Sequence, residues 1–204
     1  MLPLAERVLD ALPQTQCTRC GYPDCAGYAR AIADGEAPIN RCAPGGLQGI
    51  ERLARLTGQP AVPLDPDHGP EAPRQMAWID EAWCIGCTLC IKACPVDAII
   101  GSHKLMHTVA EAHCTGCELC IPACPVDCIR LEPATGSRTG WDAWSPAQAE
   151  AARRRYAAHQ RKLDPAPVPA ATEPDLPASA GDPAAAARRA LVEAALARAR
   201  VRRG

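Results

Sequence analysis

The stretch from Trp83 to Ile129 leaves this chain the least freedom. It reads Cys84-Ile-Gly-Cys87-Thr-Leu-Cys90-Ile-Lys-Ala-Cys94-Pro95 and, thirty residues on, Cys114-Thr-Gly-Cys117-Glu-Leu-Cys120-Ile-Pro-Ala-Cys124-Pro125. Each half is C-x-x-C-x-x-C-x-x-x-C-P, and the copies stay alike through Pro95-Val96-Asp97 and Pro125-Val126-Asp127. A cubane iron–sulfur cluster needs four thiolates at the corners of a tetrahedron. Three cysteines at this spacing wrap one tight loop around three irons, and the fourth ligand arrives from the other copy. One cluster is therefore assigned to Cys84, Cys87, Cys90 and Cys124, the other to Cys114, Cys117, Cys120 and Cys94. Gly86 and Gly116 lie inside the loops, where a backbone without Cβ can approach an inorganic sulfur. Pro95 and Pro125 fix φ and remove an amide donor just after the crossing ligand. Paired cysteines elsewhere hold zinc or form a redox dithiol, but neither needs a third cysteine two residues on and a fourth before proline, twice over.

The rest of the composition points the same way. Phe is absent and aromatics make up 3% of the 204 residues, so a large aromatic and aliphatic core is not expected. Thirteen cysteines compensate, and their odd number and spacing favour metal over disulfides. Thiolates kept free for metal imply a reducing compartment, the cytosol or the cytosolic face of a membrane. The start, Met1 to Arg7, has no basic region followed by a long apolar run, and no stretch of about 18 apolar residues exists to span a bilayer. Charge is uneven: residues 1–140 hold 11 Lys/Arg against 16 Asp/Glu, and residues 141–204 hold 11 against 7. Such asymmetry steers a protein toward a partner or an anionic surface.

Ahead of the repeat, Leu4, Val8, Leu9 and Leu12 have helical spacing, and Pro13 ends that helix. Then come Cys17, Cys20 and Cys25, with Cys42 after sixteen intervening residues. Gly21-Tyr22-Pro23 forces a turn, Ala26 to Ala33 suits a short helix, and Gly35 to Asn40 a return loop. Four thiolates in such a frame suit zinc or a cubane; three clustered cysteines with a distant fourth favour iron–sulfur. Leu47, Ile50, Leu53 and Leu56 suit a packed helix. Gly58 to Gln75 is rich in Pro and Asp and is expected to be an extended spacer whose length sets how near the first module comes to the pair.

Three motifs in this order carry a resemblance: Pro13 through Cys25 (Pro-Gln-Thr-Gln-Cys-Thr-Arg-Cys-Gly-Tyr-Pro-Asp-Cys), Glu36 through Gly46 around Cys42, and Ile79 through Cys90. Over about residues 2–133 the chain resembles the B subunit of the Rnf/Rsx electron-transport complex. The resemblance implies that Cys17, Cys20, Cys25 and Cys42 bind a third [4Fe-4S] cluster. It also implies electron relay between reduced carriers and an ion-moving membrane complex. The family usually begins with a membrane-spanning helix, which this chain does not show, so its membrane contact is expected to be peripheral.

The expected fold is α+β: a small loop and helix iron–sulfur module (1–57), a Pro-rich linker (58–76), a bacterial-type two-cluster ferredoxin domain (77–133), and an Ala/Arg/Pro-rich tail, partly helical or disordered (134–204). Within the ferredoxin part, strands are expected at Ala77–Asp80, Ala98–Ile100, Leu105–Val109 and Ile129–Leu131, with one helical turn at each of Cys90–Cys94 and Cys120–Cys124. Cys128, where the first copy has Ala98, is read as a small buried side chain beside a cluster rather than a fifth ligand. His113 is read as a solvated histidine, and Trp83 as a shield for the adjacent cluster. Ser145-Pro146 starts a helix over Ala147–Lys162. Pro165 to Pro183 is expected to be disordered, and Ala184 to Arg203, with six Arg against one Glu, is helix-prone and basic.

The expected function is electron transfer through three [4Fe-4S] clusters, with no catalytic residue and no substrate chemistry of the chain's own. No nucleotide fingerprint or phosphate loop is present, so flavin or nicotinamide belongs to partner proteins. The expected partners are ferredoxin or flavin- and nicotinamide-dependent subunits, together with Rnf-type membrane subunits. A soluble ferredoxin partner or activator of a cytosolic reductase is the alternative. A nucleic-acid-associated cluster protein is a weaker one, because residues 1–140 are acidic and poor in aromatics for base stacking.

Overall fold

Two short α-helices open the chain because apolar residues recur at helical spacing between strong stops. Helix α1 spans Leu4–Asp10 and buries Val8, with Pro13 just beyond its end. Helix α2 spans Cys25–Ala33; Asp24 caps it by accepting from the Gly27 N–H at 2.6 Å. Helix α3, Gly46–Thr57, buries Ile50 and Leu53 and stops at Gly58, whose φ of +74° is the left-handed cap that glycine adopts without strain. Together these helices enclose an apolar core of Val8, Leu12, Tyr28, Ile32, Ile50 and Leu53.

The repeat builds a second core around cysteines. Strand β1 (Gln75–Ile79) pairs antiparallel with β4 (Ile129–Pro133), with Ala77 opposite Leu131; β2 (Ile99–Ile100) pairs antiparallel with β3 (Thr108–Val109). The two ladders are related by the sequence repeat, since residues 75–79 and 105–109 occupy corresponding places thirty apart. Helix α4 covers Leu89–Ala93 in the first copy, but Cys120–Cys124 forms turns only. The cause is one residue. Lys92 donates its N–H to Thr88 O at 3.2 Å, and the matching Pro122 has no N–H to give Glu118. The expected strand at Leu105–Val109 is likewise confined to Thr108–Val109.

The computed structural model describes residues 2–164, 186–188 and 190–194, and divides the chain into a unit ending at Asp164 and a second, Pro165–Gly204. In the first unit the chain stays packed well past Pro133. Trp141 and Trp144 are buried; the Arg52 guanidinium lies 3.9 Å from the centre of the Trp141 ring, and that of Arg74 lies 4.1 Å from Trp144. Helix α5 (Pro146–Leu163) starts at a capping box in which Ser145 and Gln148 satisfy each other's backbone N–H. It straps both modules. Tyr156 donates to Asp24 at 2.9 Å, Arg153 pairs with Asp10, and His159 and Lys162 both reach Asp97, at 2.7 and 2.6 Å. The Pro-rich segment also lies against the body: Asn40 donates to Pro63 O, and Glu71 accepts from Leu47 N and Thr139 Oγ1. Of the second unit, residues 186–188 and 190–194 are helical; the disorder expected for Pro165–Pro183 lies outside the described residues, as does most of the expected Ala184–Arg203 helix.

Candidate metal centres

Each repeat loop folds back on itself through left-handed residues in matched pairs: Gly86 and Gly116 (φ +68° and +70°), Thr88 and Glu118 (+65° and +67°), Asp97 and Asp127 (+50° and +51°). The first pair requires glycine for a second reason. A Cβ on Gly86 would stand 2.5 Å from Leu105 N, and one on Gly116 would overlap the Gln75 carbonyl. The loops therefore press against the backbone of the opposite copy, at Leu105 and at Gln75 of β1, and backbone amides meet sulfur nearby. His107 N donates to Cys84 Sγ and Ala77 N to Cys114 Sγ, both at 3.4 Å; Ala98 N donates to Cys94 Sγ at 3.2 Å.

The result is three separate cysteine-lined cavities. Cys84, Cys87, Cys90 and Cys124 line one, with His107, Val126 and Cys128. Cys94, Cys114, Cys117 and Cys120 line a second, walled by Ala77, Val96 and Leu131. Cys17, Cys20, Cys25 and Cys42 line the third, beside Leu12 and Tyr28. The structure thus brings together the same three sets of four, including both crossings between the copies. Among the described residues, no three His, Cys, Asp or Glu side chains stand close enough to share a single metal ion. Four sulfurs spread around a cavity fit a multi-atom cage, whose corners are held apart, rather than one tetrahedral zinc. None of the thirteen cysteines is in a disulfide.

Burial dominates the electrostatics of these cavities. Burial pushes the Cys25 and Cys120 thiols up to about 12 and Cys90 and Cys117 up to about 11, and holds Cys42 well above its ordinary range. Thiolates there need a cation as counter-charge, which bound iron would supply. Cys124 differs: burial raises its pKa, but N–H groups of Val126, Cys128 and Asp127 and the Cys128 thiol outweigh it. Cys128 is buried with its Sγ 3.5 Å from Cys124 Sγ, a neighbour to a ligand. Trp83 is 71% exposed and shields nothing, because its side chain extends outward from the turn after β1.

Two features of the site were not read from the sequence. Gln14 and Gln16 are buried with positive φ; Gln16 Oε1 accepts from Cys25 N at 2.9 Å, and Gln14 bonds back to Leu12 O, so two amides brace the backbone on either side of Cys17. Nothing in a lone Gln-Thr-Gln marks such a role. The second is contact between modules. Thr115 Oγ1 donates to Thr15 O at 3.0 Å in a buried bond, and Arg19 pairs with Glu118 at 2.5 Å. The first cysteine cage thus abuts the Cys114 loop directly, and the Pro-rich segment does not set their separation. Among the described residues no helix is long and apolar enough to cross a membrane.

Residues 77–131 match the family described as a 4Fe-4S dicluster domain, and residues 12–44 match one described as a putative Fe-S cluster. The chain is 58% identical over 139 residues to a protein of Azoarcus sp. (strain BH72), covering 68% of this chain and 76% of that one. It is 56% identical over 157 residues to one of Alkalilimnicola ehrlichii, covering 76% of this chain and 83% of that one. Both relatives are named as the B subunit of an ion-translocating oxidoreductase complex. The second match, 157 residues, is longer than the stretch 2–133.

Proposed function

We propose, on the premise that the chain belongs to the family of B subunits of the ion-translocating oxidoreductase complex, that it is an iron–sulfur electron-transfer subunit with three [4Fe-4S] sites. The residues that hold them are Cys17, Cys20, Cys25 and Cys42; Cys94, Cys114, Cys117 and Cys120; and Cys84, Cys87, Cys90 and Cys124. Residues 77–133 are read as a bacterial-type two-cluster ferredoxin fold. When bound, the clusters supply reversible one-electron uptake and release. The chain's part is to exclude water, hold the three cages rigidly in one body and direct N–H groups at the ligand sulfurs, which favours the reduced, more negative state. Partners are redox proteins carrying flavin or nicotinamide, and other subunits of such a complex, met at a cytoplasmic membrane face.

One observation carries this reading: three groups of four cysteines each line a cavity of their own, and a buried hydrogen bond from Thr115 to Thr15 holds two of the cages together. The test is anaerobic iron and sulfide analysis with spin resonance during stepwise reduction. About twelve irons per chain are expected. About eight with one zinc would overturn the assignment of the first cage, and none would overturn the whole.

A further inference from the structure

Overlaying the two copies thirty residues apart reveals one exchange that the repeat does not explain. The ladder of β2 and β3 pairs Ile99 with Val109 and Ile100 with Thr108, and the same register continued places Gly101 across from His107. In the other ladder Leu131 lies opposite Ala77. Large and small have traded sides: glycine with histidine in one copy, leucine with alanine in the other. Gly101 does not adopt a left-handed φ, so its backbone does not call for glycine. Space does. A Cβ there would fall on the imidazole, 2.9 Å from Cγ and 3.1 Å from the His107 Cα. In the sister copy Leu131 and Ala77 both line the cavity of Cys94, Cys114, Cys117 and Cys120, giving it an apolar wall there.

The ring so accommodated is 1% exposed and lines the cavity of Cys84, Cys87, Cys90 and Cys124. Its Nδ1 lies 3.3 Å from Cys90 Sγ, while its Nε2 is buried with no partner among the described residues. A metal-bound sulfur has no proton to give, so Nδ1 must carry the proton and donate it to sulfur. A buried imidazole with one unpaired nitrogen is costly to keep, and the sister cage has an apolar wall in its place. We propose that His107 is a tuning residue: by donating Nδ1–H to Cys90 Sγ it raises the reduction potential of the cluster held by Cys84, Cys87, Cys90 and Cys124, through a donor the sister cage lacks. The bond strengthens as negative charge builds on the sulfurs, so it favours the reduced form. The two repeat sites are thereby made unequal, and an electron on this chain rests preferentially at the site His107 faces. This rests on the reading that the cage binds a cluster.

The experiment uses the full chain, reconstituted anaerobically with iron and sulfide and titrated potentiometrically under spin resonance. The paired variant Gly101→Leu/His107→Ala copies the sister arrangement. His107→Asn keeps an N–H near the position of Nδ1. Both are expected to retain the parent's iron. In the paired variant one couple, and only one, shifts at least tenfold toward the oxidised form, about 59 mV more negative for one electron; His107→Asn recovers at least half of that. Unchanged couples in an iron-replete paired variant would overturn the inference, as would a common shift of every couple, or loss of four irons from both variants, which would make His107 a packing residue. A parent chain with no cubane signal at all would instead sink the cluster assignment, and this inference with it.

Discussion

Replacing Gly116 with alanine separates the two reasons for glycine in the ligand loops. Gly35 serves as the control: its φ is +76° against +70° for Gly116, but a Cβ on Gly35 meets nothing within 4 Å. Both substitutions therefore incur the left-handed penalty of an L-residue, about 1–2 kcal/mol. Only Gly116→Ala also drives a methyl into the Gln75 carbonyl, whose peptide unit carries the N–H of Met76, the β1 residue paired with Glu132, so it cannot turn away without disturbing the ladder. Overpacking of this kind costs about 1–3 kcal/mol more. The sum, about 2–5 kcal/mol, weakens retention of the Cys114 cage roughly thirtyfold to a few thousandfold. The assay is iron content after anaerobic reconstitution, followed by loss of visible absorbance on challenge with a ferrous chelator. Gly116→Ala is expected to hold about four irons fewer than the parent, or to lose them far faster, while Gly35→Ala matches the parent. If the two variants behaved alike, close approach of the loop to β1 would not be what holds the cage, and steric fit would have to be discarded as the reason for glycine at this position.

Removing iron with a chelator should dismantle the two cores unequally. The core of the repeat counts Cys90, Cys94, Cys114, Cys120 and Cys128 among its buried residues, whereas the helical core needs only Cys25; hydrogen exchange should show residues 77–131 losing protection while α1–α3 keep much of theirs. Cys128→Ala should keep the parent's full iron count, because Cys128 neighbours Cys124 and supplies no corner of the cage; loss of four irons would make it a ligand. Asp97→Asn, which tolerates the same positive φ, should cost about 1 kcal/mol by removing the charge that His159 and Lys162 share, or about 2–4 °C in thermal midpoint. Burial raises the Asp97 pKa, but hydrogen bonds from Lys162 and His159 outweigh it and hold it below its ordinary 3.8. Its contribution is therefore complete above that value and fades as pH falls through the lowered one; the gap between parent and variant should be full at pH 7 and close only in acid.

Much of this protein is local chemistry, and such chemistry is legible in a string of letters. Cysteine spacing in the repeat predicts which thiols line each of its two cavities, because three thiols on one tight loop face one space and the repeat supplies the fourth from the other side. Caps and breakers act within a few residues too, so Pro13, Gly58 and the Ser145–Gln148 box place helix ends from sequence alone. Pro122 could have been read in the same way: its missing N–H removes the helical turn that Lys92 permits. What pairs across a hundred residues left no such mark. The Thr15–Thr115 bond, the strap from α5 to Asp24 and Asp97, and Trp141 under Arg52 depend on where separate elements come to rest. A hydroxyl, a histidine or a tryptophan has the same symbol whether it faces water or a partner. The trade of Gly101 and His107 for Leu131 and Ala77 lies between these cases. Its letters are visible at an offset of thirty, but only the folded ladder shows that they face one another and that the imidazole points at sulfur.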